Sequence, residues 1–476
     1  MPTQEEYNVA KQNNRILYTK INLLNFKLQI VDELSGVVLS GSTYSCSATS
    51  DIRRSCSISL IPIDSSFDIS VGNKIWLDKY IQVYIGIKNN ETNDITYTNL
   101  GIYMINNPSR VYSAENNTMT IQGVDLMAKM TGLRNGNLEG MEYIIKADSN
   151  VRQAIISTIN IAGFTNYSID ECPFTVPNDI KIDVGGTVYD ILKALLEIDS
   201  TYEMYFDVDG VFHYNAIPTG KNEQVIVNDD IWNPNLIEYT INTDFEDVKN
   251  VIEVYGKTHS IKYYGSATLT DATYSVTISA VKSLSNNKKI GFTTPSTVYT
   301  GTNQIYLTVN TFDSYPIKYS DGTIPKFDAN TYYVVKFKKD TTDITQSYYL
   351  CLGEVTPHAT STDTNPNSPF YINGTFGRVR IVLSGGNYDN IYTSELAQER
   401  ADWELYTRCK IQDSVTLTCV PIYWLDVNWL VEITLPNKQG TEVTEQYLIK
   451  SINTTLDISG TQSITMMKYY PLYANG

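Results

Sequence analysis

The sequence predicts a mainly β fold with a small α+β part, and three observations predict it. Long stretches alternate apolar and polar residues with a period of two. Tyrosine is abundant, at 36 of 476 residues, and its ring suits the pleated surface of a strand. Helical periodicity is confined to two regions, near 149–198 and 394–408.

Taken in order, residues 1–15 are polar and read as a flexible arm or docking segment. From Ile21 the alternation begins. Leu24, Phe26, Leu28 and Ile30 point one way, as do Cys56, Ile58 and Leu60, and then Ile81, Val83, Ile85 and Ile87. Such patterns mark strands buried on one face, and turn residues such as Gly72-Asn73 and Asn89-Asn90 separate them. Residues 16–135 are therefore expected to form one β-barrel domain.

The period changes near Ser149. Val151, Ala154, Ile155, Ile159 and Ala162 fall on one helical face, and Gly163 supplies a stop. A second helix opens at Thr187, with Asp190 completing a capping box, and buries Val188, Ile191, Leu192, Leu195 and Ile198. Tyr202, Met204, Phe206 and Val208 then alternate into an Asp209-Gly210 hairpin turn. Residues 136–235 are expected to be an α+β domain. Strands resume at Ile237 and at 251–255. Residues 258–393 are rich in Thr, Tyr, Asn and Ser, hold strand candidates at 305–309, 332–337, 348–352 and 379–383, and read as a β-rich insertion. A helix at 394–408, with Leu396, Trp403 and Leu405 among its apolar positions, leads into a final β segment. Residues 236–257 plus 394–476 are thus expected to form a second barrel with a helix.

Composition excludes several functions. A net charge of −16 is wrong for gripping phosphates, while passage of DNA along such a surface stays open, because an acidic wall repels phosphates and does not stick to them. No apolar run approaches a membrane span, and the start Met1-Pro2-Thr3-Gln4-Glu5-Glu6 is unlike a signal peptide, so manufacture and assembly in a cytoplasm are expected. Cys46, Cys56, Cys172, Cys351, Cys409 and Cys419 form no CxxC pair and read as reduced core residues.

Motifs that carry chemistry are sparse. His213, His259 and His358 have no metal-ligand spacing, and His213 between Phe212 and Tyr214 reads as a strand residue. Asp207-x-Asp209-Gly210 lacks the later acids of a calcium loop and reads as a hairpin. Gly185-Gly186-Thr187 before a helix reads as a cap rather than an anion site. Glu395, Glu399 and Asp402 share one helical face, which reads as solvated. The expectation is no catalytic, cofactor-binding or metal residue, and no enzyme.

The most informative feature is a repeat. Segments 81–87, 101–105 and 119–124 match 429–435, 447–452 and 464–467 in order, type and spacing, with polar turns at 89–93 and 114–117 against 437–440 and 458–460.

These pieces, in this order, are similar to the baseplate hub or tail-tip hub family of tailed phages. The residues that carry the resemblance are Ser50-Asp51-Ile52-Arg53-Arg54-Ser55-Cys56, then Val188-Tyr189-Asp190-Ile191-Leu192 through Asp209-Gly210, then Val248-Lys249-Asn250-Val251-Ile252-Glu253-Val254-Tyr255-Gly256, then the helix and the last meander to Lys468-Tyr469-Tyr470. The match covers about 16–257 and 394–472; the stretch 258–392 departs from the simplest members. The resemblance implies two tail-tube-like β-barrels and a homotrimer forming a pseudo-sixfold ring in the virion, at the tail tip or baseplate. It implies a tail tube or distal tail protein on one side, a central spike or tip protein on the other, and passage of a tape-measure protein and DNA. Two alternatives stand beside it: a tail-associated cell-wall hydrolase using Glu or Asp as acid and base, and a carbohydrate- or receptor-binding tail protein with the insertion as reader.

Overall fold

The computed structural model describes residues 1–471 apart from Ser35, Ala114, Asn116, Met141, Pro173, Asn178, Ser200, Lys221, Asn222 and 437–439. The turns expected at 114–117 and 437–440 lie partly outside the described residues.

Twelve strands share one sheet, and the repeat is written into its order. A first unit consists of Val37–Ser47, Arg54–Leu60, Tyr80–Lys88, Ile95–Tyr112 and Asn117–Val124. A second consists of Leu236–Asp244, Gln412–Cys419, Leu430–Pro436, Glu442–Thr455 and Gln462–Lys468. In both, the strands lie side by side as first, second, fifth, fourth and third. The row Tyr44, Cys56, Gly123, Ile105 across the first unit corresponds to the row Ile241, Val415, Met466, Ile449 across the second. Just beyond that row, each long fourth strand takes up an irregularity, between Asn106 and Ser109 and between Ile449 and Ser451.

The expected pair of like sheets is present, but they run into one another rather than each closing on itself. Ser451–Thr455 of the second unit's fourth strand pairs antiparallel with residues 43–47 of the first unit's first strand. One hydrophobic core serves both units, with Ile58, Val83 and Ile121 packed into the same cluster as Val415, Ile433 and Ile464. Alternation explains which residues enter it: along Arg54–Leu60 every second residue is buried.

Other readings are corrected. The alternation through Leu24–Ile30 is broken by a turn. The Asn25 side chain accepts from the Lys27 and Gln29 amides, Leu28 adopts a positive φ, and Phe26 and Ile30 are left exposed. Val251–Tyr255 does not join the second unit. It pairs with His358–Thr362 and Arg380–Ser384, and the helix Ser394–Arg408 packs on this small sheet. The helix buries Ala397, Ala401 and Glu404, because small residues allow the close approach, while Leu396 and Leu405 pack at the margin.

The α+β unit carries the helices Val151–Ile161 and Val188–Leu196, the second opened by the Thr187–Asp190 capping box. Its hairpin, Tyr202–Phe206 and Phe212–Ala216, turns at Gly210 with φ +76°. Within the insertion, strands from Tyr264–Thr270 to Tyr348–Glu354 close into a separate seven-stranded barrel, filled by Tyr274, Phe292, Phe327, Phe337 and Tyr349. Among the described residues no helix is long and apolar enough to cross a membrane.

Candidate functional site

Two adjacent arginines stand where the second strand of the first unit begins, Arg53 just before it and Arg54 as its first residue, and both are buried. Arg54 donates to the Asp426 carboxylate of the second unit and to the Phe206 carbonyl of the α+β hairpin. Arg53 pairs with Glu203 and lies over the Tyr205 ring, 3.7 Å from its centroid. Glu203 also accepts from Asn428 at 2.5 Å, and Lys450 donates to Asn428 at 2.9 Å. Behind this cluster, buried Asp125 accepts from the Arg54 and Met127 amides at 2.8 and 2.9 Å. Burial pushes the Asp125 carboxyl up, with those two bonds opposing it. Three units therefore meet on one hydrogen-bonded set of charges.

A cavity of about 660 Å³ opens beside the junction, lined by Arg54, Tyr205, Asp207, His213, Trp424 and Asp426 among others. The N-terminal segment borders it. Far from a free arm, residues Gln4–Val9 form a helix with a Thr3–Glu6 capping box; Tyr7 stacks on Trp424 and Glu6 accepts from Thr98 at 2.9 Å. The signal was present in Thr3-Gln4-Glu5-Glu6.

The residues considered for chemistry are dispersed. His213 sits on its strand, bonded to Asp207 at 2.9 Å and stacked on Tyr205. Asp207 also accepts from the Asp209 and Val211 amides, the bonding of a tight turn. His358 stacks on Tyr255, and His259 is buried near Tyr392. Gly185 and Gly186 lead to a helix start whose Thr187 and Asp190 satisfy one another. Among the described residues, no three His, Cys, Asp or Glu side chains gather as a metal-ligand set.

The helix acids separate by environment. Glu395 is half-buried, Glu399 and Asp402 are exposed, and Asp402 accepts from Ser361 and Gln398. Glu399 and Glu197 line one cleft of about 250 Å³ with Trp403 and Phe174. Partial desolvation in the cleft raises the pKa of both, and neighbouring acids add to the rise at Glu399.

What remains unmatched is backbone. Among the described residues, 106–112 pair with the fifth strand on one side only, and Leu236–Asp244 pairs only with Gln412–Cys419. Apolar side chains are exposed along both: Val111 and Tyr112 on one, Ile237 and Ile241 on the other, with Phe245 just beyond. Sequence reading missed this, since alternation marks a strand without naming which of its edges is paired.

This architecture is similar to that of a solved tail protein. The 43 kDa tail protein of prophage MuSo2 from Shewanella oneidensis is 11% identical, aligns over 94% of this chain and 98% of its own, and gives a TM-score of 0.50. The fold is that of a phage tail protein. A tail protein from Neisseria meningitidis (8% identical, 95% and 96% covered, TM-score 0.48) and a prophage tail protein from Listeria monocytogenes (11%, 94% and 94%, 0.45) also align along the chain. Residues 367–473, which take in the helix Ser394–Arg408 and four strands of the second unit, match a domain of unknown function, DUF5048. No curated protein sequence matches the chain.

Proposed function

We propose that this chain is a structural hub of a phage tail tip or baseplate, assembled in the host cytoplasm as a trimer. Its pseudo-sixfold ring joins the tail tube to a central spike and leaves a channel for the tape-measure protein and DNA. The observation that carries the reading is the doubled five-strand unit, joined side by side in one sheet. Three chains bring six like units, which matches a threefold component to a sixfold tube. A net charge of −16 suits a wall past which DNA slides.

Electron microscopy of the purified protein, and of particles carrying a tagged copy, tests it. A threefold ring with an open centre, and the tag at the tail tip, are expected. A compact particle without a channel, or a tag along the tail shaft, would overturn it.

A further inference from the structure

The repeat does more than suggest a ring; it specifies the seam between copies, an inference that rests on the hub reading above. Inside one chain, the second unit's fourth strand pairs with the first unit's first strand. Asn453 sits opposite Ser45, and Thr454 opposite Tyr44. That pairing begins three residues beyond Leu448, which faces Leu430 at the start of the third strand. The third strand thus leaves the edge, and the neighbouring unit takes its place.

The first unit has the same vacancy. Its fourth strand meets the start of its third strand at Met104, opposite Tyr80. Beyond Met104 no other strand among the described residues pairs along this edge, while Asn117–Val124 stays on the opposite edge. The strand that would fill it, by the repeat, is the second unit's first strand. In this chain that strand, Leu236–Asp244, lies at the far end of the sheet with its outer edge unpaired.

We infer that the stretch 107–111 of one copy pairs antiparallel with residues 240–244 of the next, with Ser109 opposite Asn242. The register follows from equating Met104 with Leu448 and Tyr44 with Ile241, the correspondences that make the rows across the two units coincide. It places Arg110 opposite Ile241 and Val111 opposite Thr240.

Side-chain exposure agrees. In the seam within the chain, Tyr44, Cys46, Ile452 and Thr454 are buried. Of their counterparts, Arg110 and Ile241 are exposed, Ile241 at 42%, and Pro108 and Thr243 are half-buried. Leu236–Asp244 is a long strand with an unpaired edge and no lysine or proline to blunt it, a condition under which a sheet accepts another strand; on the facing stretch Pro108, at the position of Ile452, withholds one amide from the ladder. The contact is heterologous, since different edges meet, so repeating it generates a ring or a filament rather than a closed pair.

Disulfide trapping tests the register. Directly opposed strand residues have Cα atoms about 4.5–5.5 Å apart, within reach of a disulfide. The full chain carrying Ser109→Cys and Asn242→Cys should give dimer and trimer bands on mild oxidation, lost on reduction. Ser109→Cys with Glu238→Cys, four residues out of register, should give none. Ser45→Cys with Asn453→Cys should close within a single chain, which verifies the fold and the oxidation. A trimer in sedimentation that is trapped through 109 and 238, or through neither pair, would overturn the seam and leave the hub reading standing. Protein that stays monomeric at every concentration and gives no bands overturns both.

Discussion

The guanidinium of Arg54 is bonded to the carboxylate of Asp426, 372 residues further along the chain. Arg54 is 1% exposed. A buried ion pair stabilises little against an apolar substitute of like shape, but removing one partner strands the other. Arg54→Ala is therefore expected to lose about 3–5 kcal/mol in urea unfolding. The double variant Arg54→Met/Asp426→Leu should recover much of that loss. If both variants are equally unstable, the junction acts by packing alone.

Acid should loosen the base of the insertion. Burial, with Lys289 and Lys336 nearby, lowers the pKa of His259 from 6.5 to about 4. Between those values the unfolded chain binds a proton that the folded chain does not, so stability falls as pH falls through this window. The expected loss by pH 4.5 is about 2–3 kcal/mol from this group. His259→Phe should remove that component, read as the difference between the two proteins' unfolding curves at pH 7 and 4.5.

The insertion barrel should be separable. It has its own core, and it leaves and rejoins the small sheet at Tyr255 and His358, which face each other across paired strands. Replacing residues 256–357 by Asn-Gly turns those strands into a hairpin. The shortened chain is expected to unfold in one cooperative transition and to keep the Ser109–Asn242 crosslink. Aggregation or a lost crosslink would show that the barrel supports the scaffold, through contacts such as Lys338 with Asp148 at 2.5 Å.

Gly123 is a packing glycine. A Cβ there would lie 2.7 Å from both Cys56 Sγ and Tyr103 Cβ. Gly123→Ala should cost about 1–3 kcal/mol by overpacking. Adding Cys56→Ala, which removes the opposing Sγ, should recover part of this, a coupling visible in a double-mutant cycle. The corresponding position in the second unit holds fully buried Met466, so the two units fill one architecture differently.

Local order was legible in the sequence, and long-range order was not. The Thr187–Asp190 cap, the Asp209-Gly210 turn and the strand at 81–87 followed from short-range rules and stand in the structure. So does the correspondence of the two meanders, because strand order within a meander follows chain order. The pairing of Val251–Tyr255 with His358–Thr362 and Arg380–Ser384 was hidden, since β-propensity does not name a partner. The Arg54–Asp426 pair was hidden for the same reason: adjacent arginines in an alternating strand look like one buried and one solvated residue, and here both are buried.

The two five-strand units are tethered by one backbone, and that tether changes how dilution acts on them. The joint between Ser451–Thr455 and residues 43–47 forms whenever a single molecule folds, at a local concentration set by the polypeptide rather than by the solution. Only contacts with other molecules pay for lost translational freedom. If three copies close the ring proposed above, its six joints need only a three-body encounter, and dilution weakens only every second one.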